Sequence, residues 1–200
     1  MKPRSTAFST SPRPHAGGGE VRIIGGQWRR TKLPVANKPG LRPTPDRVRE
    51  TLFNWLGQSL QGWRCLDAFA GTGALGLEAA SRGAAHVLLC EQDSSLVAQL
   101  SSHVQKLNAS MVQIQRCDGV AALSQQTPDS LDVVFLDPPF DSTLFEPALK
   151  AALRAVKADG FVYLEAPKAW SLDALSDLGF TLHRHLKAGA VHAHLLQRIA

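Results

Sequence analysis

The segment Leu131-Asp132-Val133-Val134-Phe135-Leu136-Asp137-Pro138-Pro139-Phe140 is an apolar run that ends in Asp-Pro-Pro-Phe. Proline fixes φ and donates no hydrogen bond, so the chain leaves such a run along a stiff, extended path. That path aims the Asp137 carboxylate and the Pro138 carbonyl to one side. Two neighbouring acceptors suit an aromatic exocyclic amine, which is a poor nucleophile because its lone pair is delocalised into the ring. Holding both hydrogens turns the lone pair toward an incoming carbon, so catalysis here is alignment and charge placement. Phe140 adds a face on which a base can stack, a contact worth about 1–3 kcal/mol. The plainer alternative is a proline-rich turn with a capping Asp. It is disfavoured because open α/β sheets put their ligand crevice at such strand ends.

A second chemical cluster lies upstream. Cys65-Leu66-Asp67-Ala68-Phe69-Ala70-Gly71-Thr72-Gly73-Ala74-Leu75-Gly76 carries the spacing G-x-G-x-x-G. Glycines there allow a tight turn and close approach of a ligand to the backbone. Dinucleotide enzymes share this pattern, but three acids sharpen it. Asp67 ends the strand before the loop. Glu91 ends the next strand, where an acid can accept both ribose hydroxyls. Asp118 follows the third strand, where it can accept an adenine amino group. A pyrophosphate prefers a helix N-terminus free of acids, whereas Asp67 attracts an ammonium. The set Asp67, Ala70, Gly71, Gly73, Glu91, Asp118 and Gly119 therefore reads as a site for S-adenosylmethionine rather than a nicotinamide dinucleotide. Glu91 and Asp118 each also have an ordinary reading as helix caps.

These residues need a parallel sheet to bring them together. Candidate strands at 63–69, 86–91, 111–116, 131–137 and 160–165 alternate with helical stretches, among them Leu96, Leu100, Val104 and Leu107 on one face and Phe145, Leu149, Leu153 and Val156 on another. Such alternation predicts helices on both faces of a mostly parallel sheet. Phe180–Lys187 and Val191–Ile199 read as a hairpin closing the sheet, joined by Ala188-Gly189-Ala190. Upstream, Val21–Ile24 reads as a short strand, Gly25-Gly26 as a turn and Gln27–Arg30 as the returning strand. Thr44 is placed to cap a helix with Pro45 at its first position. Val48, Leu52, Trp55 and Leu56 follow at helical spacing.

The 200 residues suit one domain, with 44% hydrophobic and 20% charged residues. The formal net charge is +5, and residues 1–50 hold 11 of the 22 Lys and Arg but only 3 of the 17 acids. A patch of that sign fits a phosphate-rich partner, the plain alternative being a solubilising tail. Arg22, Arg29, Arg30, Lys32, Arg42, Arg47 and Arg49 are the candidate RNA contacts. Met1–Gly19 is rich in Ser, Thr, Pro, Arg and Gly and reads as a flexible basic arm. No apolar run reaches the roughly 20 residues of a membrane span, and the N-terminus lacks a signal-peptide stretch, so the expected compartment is the cytoplasm. Cys65, Cys90 and Cys117 fit no metal or redox spacing and read as core side chains. His183, His185, His192 and His194 share faces by strand alternation alone. No metal is expected, Trp28 reads as a packing residue, and nothing calls for an obligate protein partner.

Together the quoted motifs resemble the class I methyltransferases that act on exocyclic amines of nucleobases. More specifically, they resemble the bacterial small-subunit ribosomal RNA guanine-N2 methyltransferase family. Val21-Arg22-Ile23-Ile24-Gly25-Gly26 with Arg29-Arg30 is similar to that family's N-terminal hairpin. Arg42-Pro43-Thr44 with Asp46 through Asn54 is similar to its signature helix, and Asp67–Gly76 and Asp137–Phe140 to its cofactor and catalytic motifs. The resemblance runs from about Val21 to the C-terminus. It implies a Rossmann-like α/β fold: a mostly parallel seven-stranded sheet with an antiparallel last strand, helices on both faces, and an N-terminal β-hairpin and helix. It also implies S-adenosylmethionine as methyl donor, N2 of one guanine in 16S ribosomal RNA as acceptor, and ribosomal RNA or a small-subunit particle as partner. Asp137, Pro138, Pro139 and Phe140 form the catalytic set. The expected organisation is a flexible arm at 1–19, an RNA-binding hairpin and helix at 20–60, and the methyltransferase domain at 61–200. A DNA adenine-N6 methyltransferase can share Asp-Pro-Pro-Phe, though this length leaves little room for a base-reading domain. A non-catalytic RNA-binding module with a relict pocket is the alternative outside the enzymes.

Overall fold

In the computed structural model of the chain, residues 19–38, 41 and 43–199 are described. The arm expected at Met1–Gly19 lies outside the described residues except for Gly19, and so does Arg42.

The sheet is built from β3 (Arg64–Asp67), β4 (His86–Glu91), β5 (Val112–Arg116), β6 (Leu131–Leu136), β7 (Val156–Ala166), β8 (Phe180–Ala188) and β9 (Val191–Arg198). Their order is β5-β4-β3-β6-β7-β9-β8. The first five are mutually parallel, and β9 runs antiparallel to both β7 and β8. This is the seven-stranded Rossmann-like arrangement with a reversed last strand that the family resemblance implies.

Both faces are covered, which is why the central strands read as continuous apolar runs. Cys65, Leu89, Val133, Phe135 and Tyr163 face α1 (Asp46–Trp55), α2 (Ala74–Ser81) and α3 (Ser94–Leu107). Leu66, Val134, Leu136 and Leu164 face α4 (Gly119–Ser124), α5 (Phe145–Ala155) and α6 (Leu172–Asp177). The chain builds outward from β3 through β4 to β5, then returns to the other side of β3 with β6. Strand order reverses there, and loops leaving the two strands splay apart to form a crevice.

Local structure differs from expectation at three places, two of them N-terminal. β1 (Glu20–Arg22) does pair antiparallel with a returning strand, but that strand is β2 (Lys32–Pro34), not Gln27–Arg30. The intervening backbone instead bonds to α2. Gln27 N–H donates to the Ser81 carbonyl at 2.8 Å, and Ile24 and Gly25 N–H each donate to Glu78 at 2.8 Å. Thr44 does not cap α1: Pro45 holds the cap position with no side-chain bond, and the Thr44 hydroxyl donates to Glu165 at 2.8 Å. Lastly, Val156 belongs to β7, because α5 ends at Ala155, although it stays buried. Trp28 packs against the core.

Among the described residues no group of His, Cys, Asp or Glu is arranged to hold a metal. His194 is a buried core residue whose Nε2 accepts the Trp170 N–H at 3.2 Å. No described helix is long and apolar enough to cross a membrane.

Candidate active site

The loops after β3 and β6 open into one crevice of about 850 Å³ at the C-terminal ends of the parallel strands. Asp67, Gly71, Glu91, Asp137, Phe140 and Glu165 all line it.

On the β3 side, the glycine loop turns into α2 through Gly73, whose φ of +78° suits glycine. Gly76 packs against Leu89, and its N–H donates to Asp67 Oδ2 at 3.1 Å. The other oxygen, Oδ1, is buried and has no partner. Burial pushes the Asp67 carboxyl up to about 7, against backbone hydrogen bonds that lower it. An unpartnered acid oxygen in a crevice wall is a receptor for a cation, and a bound ammonium would satisfy it. Glu91 spends one oxygen on Gly71 N–H at 2.9 Å and the other on Asp93 N–H at 2.9 Å. Each carboxylate oxygen retains a further lone pair. Ala70 and Gly119 line the crevice as well.

Two expected cofactor residues stand elsewhere. Gly73 shapes the loop, and the side a Cβ would occupy faces Leu100 and Leu77 rather than the cavity. Asp118 is exposed and caps α4, accepting Ala121 N–H and Gln92 Nε2 at 2.9 Å each. It does not itself border the crevice, though its neighbours Cys117 and Gly119 do, and each of its oxygens, like those of Glu91, keeps a further lone pair.

On the β6 side, Asp137, Pro138, Pro139 and Phe140 all border the cavity. Burial, reinforced by the negative charges of Glu165 and Asp67, holds the Asp137 carboxyl well above its usual range. Phe140 is 38% exposed at the border of the cavity.

Sequence reasoning missed Glu165. It is the last residue but one of β7, is only 3% exposed, and accepts hydrogen bonds on Oε1 from the Thr44 hydroxyl (2.8 Å) and the Tyr163 hydroxyl (2.9 Å). Burial raises its carboxyl, and the two hydroxyls oppose that shift. The signal was available: an acid after Phe161-Val162-Tyr163-Leu164 repeats the placement of Asp67 and Glu91 at strand ends.

Among the candidate phosphate contacts, Arg22, Arg29, Arg30, Lys32 and Arg47 are exposed. Arg22 pairs with Asp46 at 2.6 Å and Lys32 with Glu20 at 2.9 Å. Arg49 corrects the expectation. It is 1% exposed and donates to Glu78, Asp46, the Thr44 carbonyl and the Arg22 carbonyl. Four of its five N–H donors are engaged inside the protein, and at that burial the guanidinium is out of reach of a phosphate.

A family model described as Conserved hypothetical protein 95 matches residues 21–197. Ribosomal RNA small subunit methyltransferase D of Escherichia coli K12 is 43% identical over 189 residues, covering 93% of this chain and 94% of that protein. The Haemophilus influenzae protein of the same name is 42% identical over 184 residues, covering 90% of this chain and 94% of that protein. The solved structure of Escherichia coli yhhF matches with a TM-score of 0.78 at 43% identity, covering 91% of this chain and 99% of that one. Matches this strong across nearly the whole length leave one assignment: the chain belongs to the ribosomal RNA small subunit methyltransferase D family of class I methyltransferases.

Proposed function

We propose that the chain is a ribosomal RNA methyltransferase that transfers a methyl group from S-adenosylmethionine to the exocyclic N2 of a guanine in small-subunit (16S) ribosomal RNA. One observation carries the reading: an unpartnered acid oxygen on Asp67 and the Asp137–Phe140 loop border a single crevice. The donor set fits this cofactor. Asp67 Oδ1 would take its ammonium, and the spare lone pairs of Glu91 its ribose hydroxyls. When bound, the cofactor supplies a methyl group on a sulfonium, already a good leaving group.

The remaining work falls to the chain. Asp137 accepts one N2 hydrogen and the Pro138 carbonyl the other, which turns the nitrogen lone pair toward the methyl carbon. Once methylated, N2 would carry one proton too many, which it must shed. Asp137, whose proton affinity is raised by burial and then by its acidic neighbours, receives that proton and passes it to solvent. Phe140 stacks on the base, which must be unpaired or flipped out to enter. Residues 20–60 dock the RNA through Arg22, Arg29, Arg30, Lys32 and Arg47, and residues 61–200 hold the transfer site.

The test is transfer from labelled S-adenosylmethionine to 16S RNA and small-subunit particles taken from cells lacking the protein, with DNA as comparison. Nucleoside mass mapping is expected to find N2-methylguanosine in the RNA. Label appearing as N6-methyladenosine in DNA, or no transfer to any acceptor, would overturn the reading.

A further inference from the structure

Phe135 on β6 lies opposite Tyr163 on β7, and Leu136 opposite Leu164. Continuing that register sets Asp137 beside Glu165 on the same face of the sheet. Neighbouring strands stand about 4.8 Å apart, close enough for one purine edge to meet both carboxylates. Glu165 Oε1 is taken by two hydroxyl donors from within the chain, while no described residue donates to Oε2. The side chain lines the crevice, so Oε2 is an acceptor held ready beside the proposed amine-binding pair.

We propose that Glu165 is the specificity residue of the acceptor site, its Oε2 accepting the N1–H of the guanine whose N2 hydrogens are held by Asp137 and Pro138. This rests on the amine-acceptor reading of the Asp137–Phe140 loop. Guanine presents N1–H and the N2 amino group as adjacent donors, which a row of three acceptors matches. Adenine presents its amino group beside an unprotonated N1. A carboxylate facing that lone pair has no proton to share and is left buried without a partner. Sites built to hydrogen-bond a particular N–H reject analogues lacking it far more strongly than apolar pockets reject a change of size. The Thr44 hydroxyl belongs to the N-terminal extension, so the extension helps to orient the base reader.

The test uses the full-length protein and RNA whose accepting guanine has been mapped and replaced site-specifically by 2-aminopurine. That base keeps the C2 amine but carries an acceptor at N1. The wild-type protein is expected to prefer guanine by about 100-fold or more in kcat/KM. Glu165→Gln, whose amide can donate to N1, is expected to narrow the preference below about 10-fold with S-adenosylmethionine affinity kept. Tyr163→Phe preserves the ring and removes only a hydroxyl that holds Glu165, so it guards against a folding defect in the first variant. It is expected to narrow the preference severalfold. An undiminished preference in variants that still transfer methyl groups would overturn the role of Glu165 and leave the transfer reading intact. Weakened cofactor affinity with unchanged base preference would overturn it too, by assigning Glu165 to the cofactor. Wild-type protein that transfers to no guanine N2 would instead remove the function on which the proposal stands.

Discussion

Asp67 and Asp137 are carboxyls set where their charge is disfavoured, and each makes a prediction. Asp67 titrates at about 7 in the fold against an ordinary value of 3.8. The folded protein therefore keeps this proton after the unfolded chain has lost it. Its contribution to stability is full below pH 3.8 and is lost as pH rises through 7. Asp67→Asn is expected to stabilise the cofactor-free protein at pH 8 by on the order of 4 kcal/mol, from the shift of 3.8 to about 7 at about 1.4 kcal/mol per pH unit, as read by urea unfolding. Cofactor binding should run the opposite way, because an ammonium needs the ionised form. Affinity should fall by up to about tenfold per pH unit below 7. A dissociation constant flat between pH 5.5 and 8 in calorimetry would contradict this. At Asp137, Ala substitution should leave cofactor affinity intact and lower turnover about 10²–10³-fold, as loss of a charge-positioning contact does. Near-normal turnover would remove Asp137 from its role.

At the scale of elements, Glu78 is the pin between the N-terminal extension and α2. It is fully buried, accepts the Ile24 and Gly25 N–H groups, and pairs with Arg49 at 3.3 Å and Arg82 at 2.8 Å. Removing it strands buried guanidinium charge and two backbone donors. Glu78→Ala is expected to destabilise the protein by about 3–5 kcal/mol, and a urea-unfolding loss below about 1 kcal/mol would refute the pin. α1, with its apolar spacing, and the β8–β9 hairpin were legible from period alone. The return of β2 and the start of α1 were not. The donors of residues 24–28 and the Thr44 hydroxyl bond to α2 and to β7, partners 53 to 121 residues away that no local pattern reveals.

Across the whole molecule, charge is divided between a basic N-terminal quarter and a slightly acidic remainder. An RNA held by the basic part should show salt-dependent affinity, with a slope of about −0.7 per neutralised charge on single strands. Replacing Arg29, Arg30 and Lys32 with Ala is expected to weaken binding and flatten that slope by about 2. Titrations at several salt concentrations would show it, and an unchanged slope would exclude this surface from docking. Arg49→Ala should destabilise the protein, and it should leave the slope alone in variants that remain folded, since its charge is neutralised internally.

The alternation of apolar strands and helices settled the sheet, and the glycine loop and Asp-Pro-Pro-Phe settled which strand ends matter, because both are local patterns with a fixed geometric meaning. Position in the sequence could not distinguish Asp67 from Asp118, each an acid at the end of a strand. Tertiary structure separated them, burying Asp67 with an unpartnered oxygen in the crevice and leaving Asp118 exposed at a helix cap. It likewise turned Arg49 from a surface charge into an interior pin and brought Glu165 beside Asp137. Burial and partner choice depend on which distant elements pack together, and that is decided only when the sheet and the N-terminal extension close on one another.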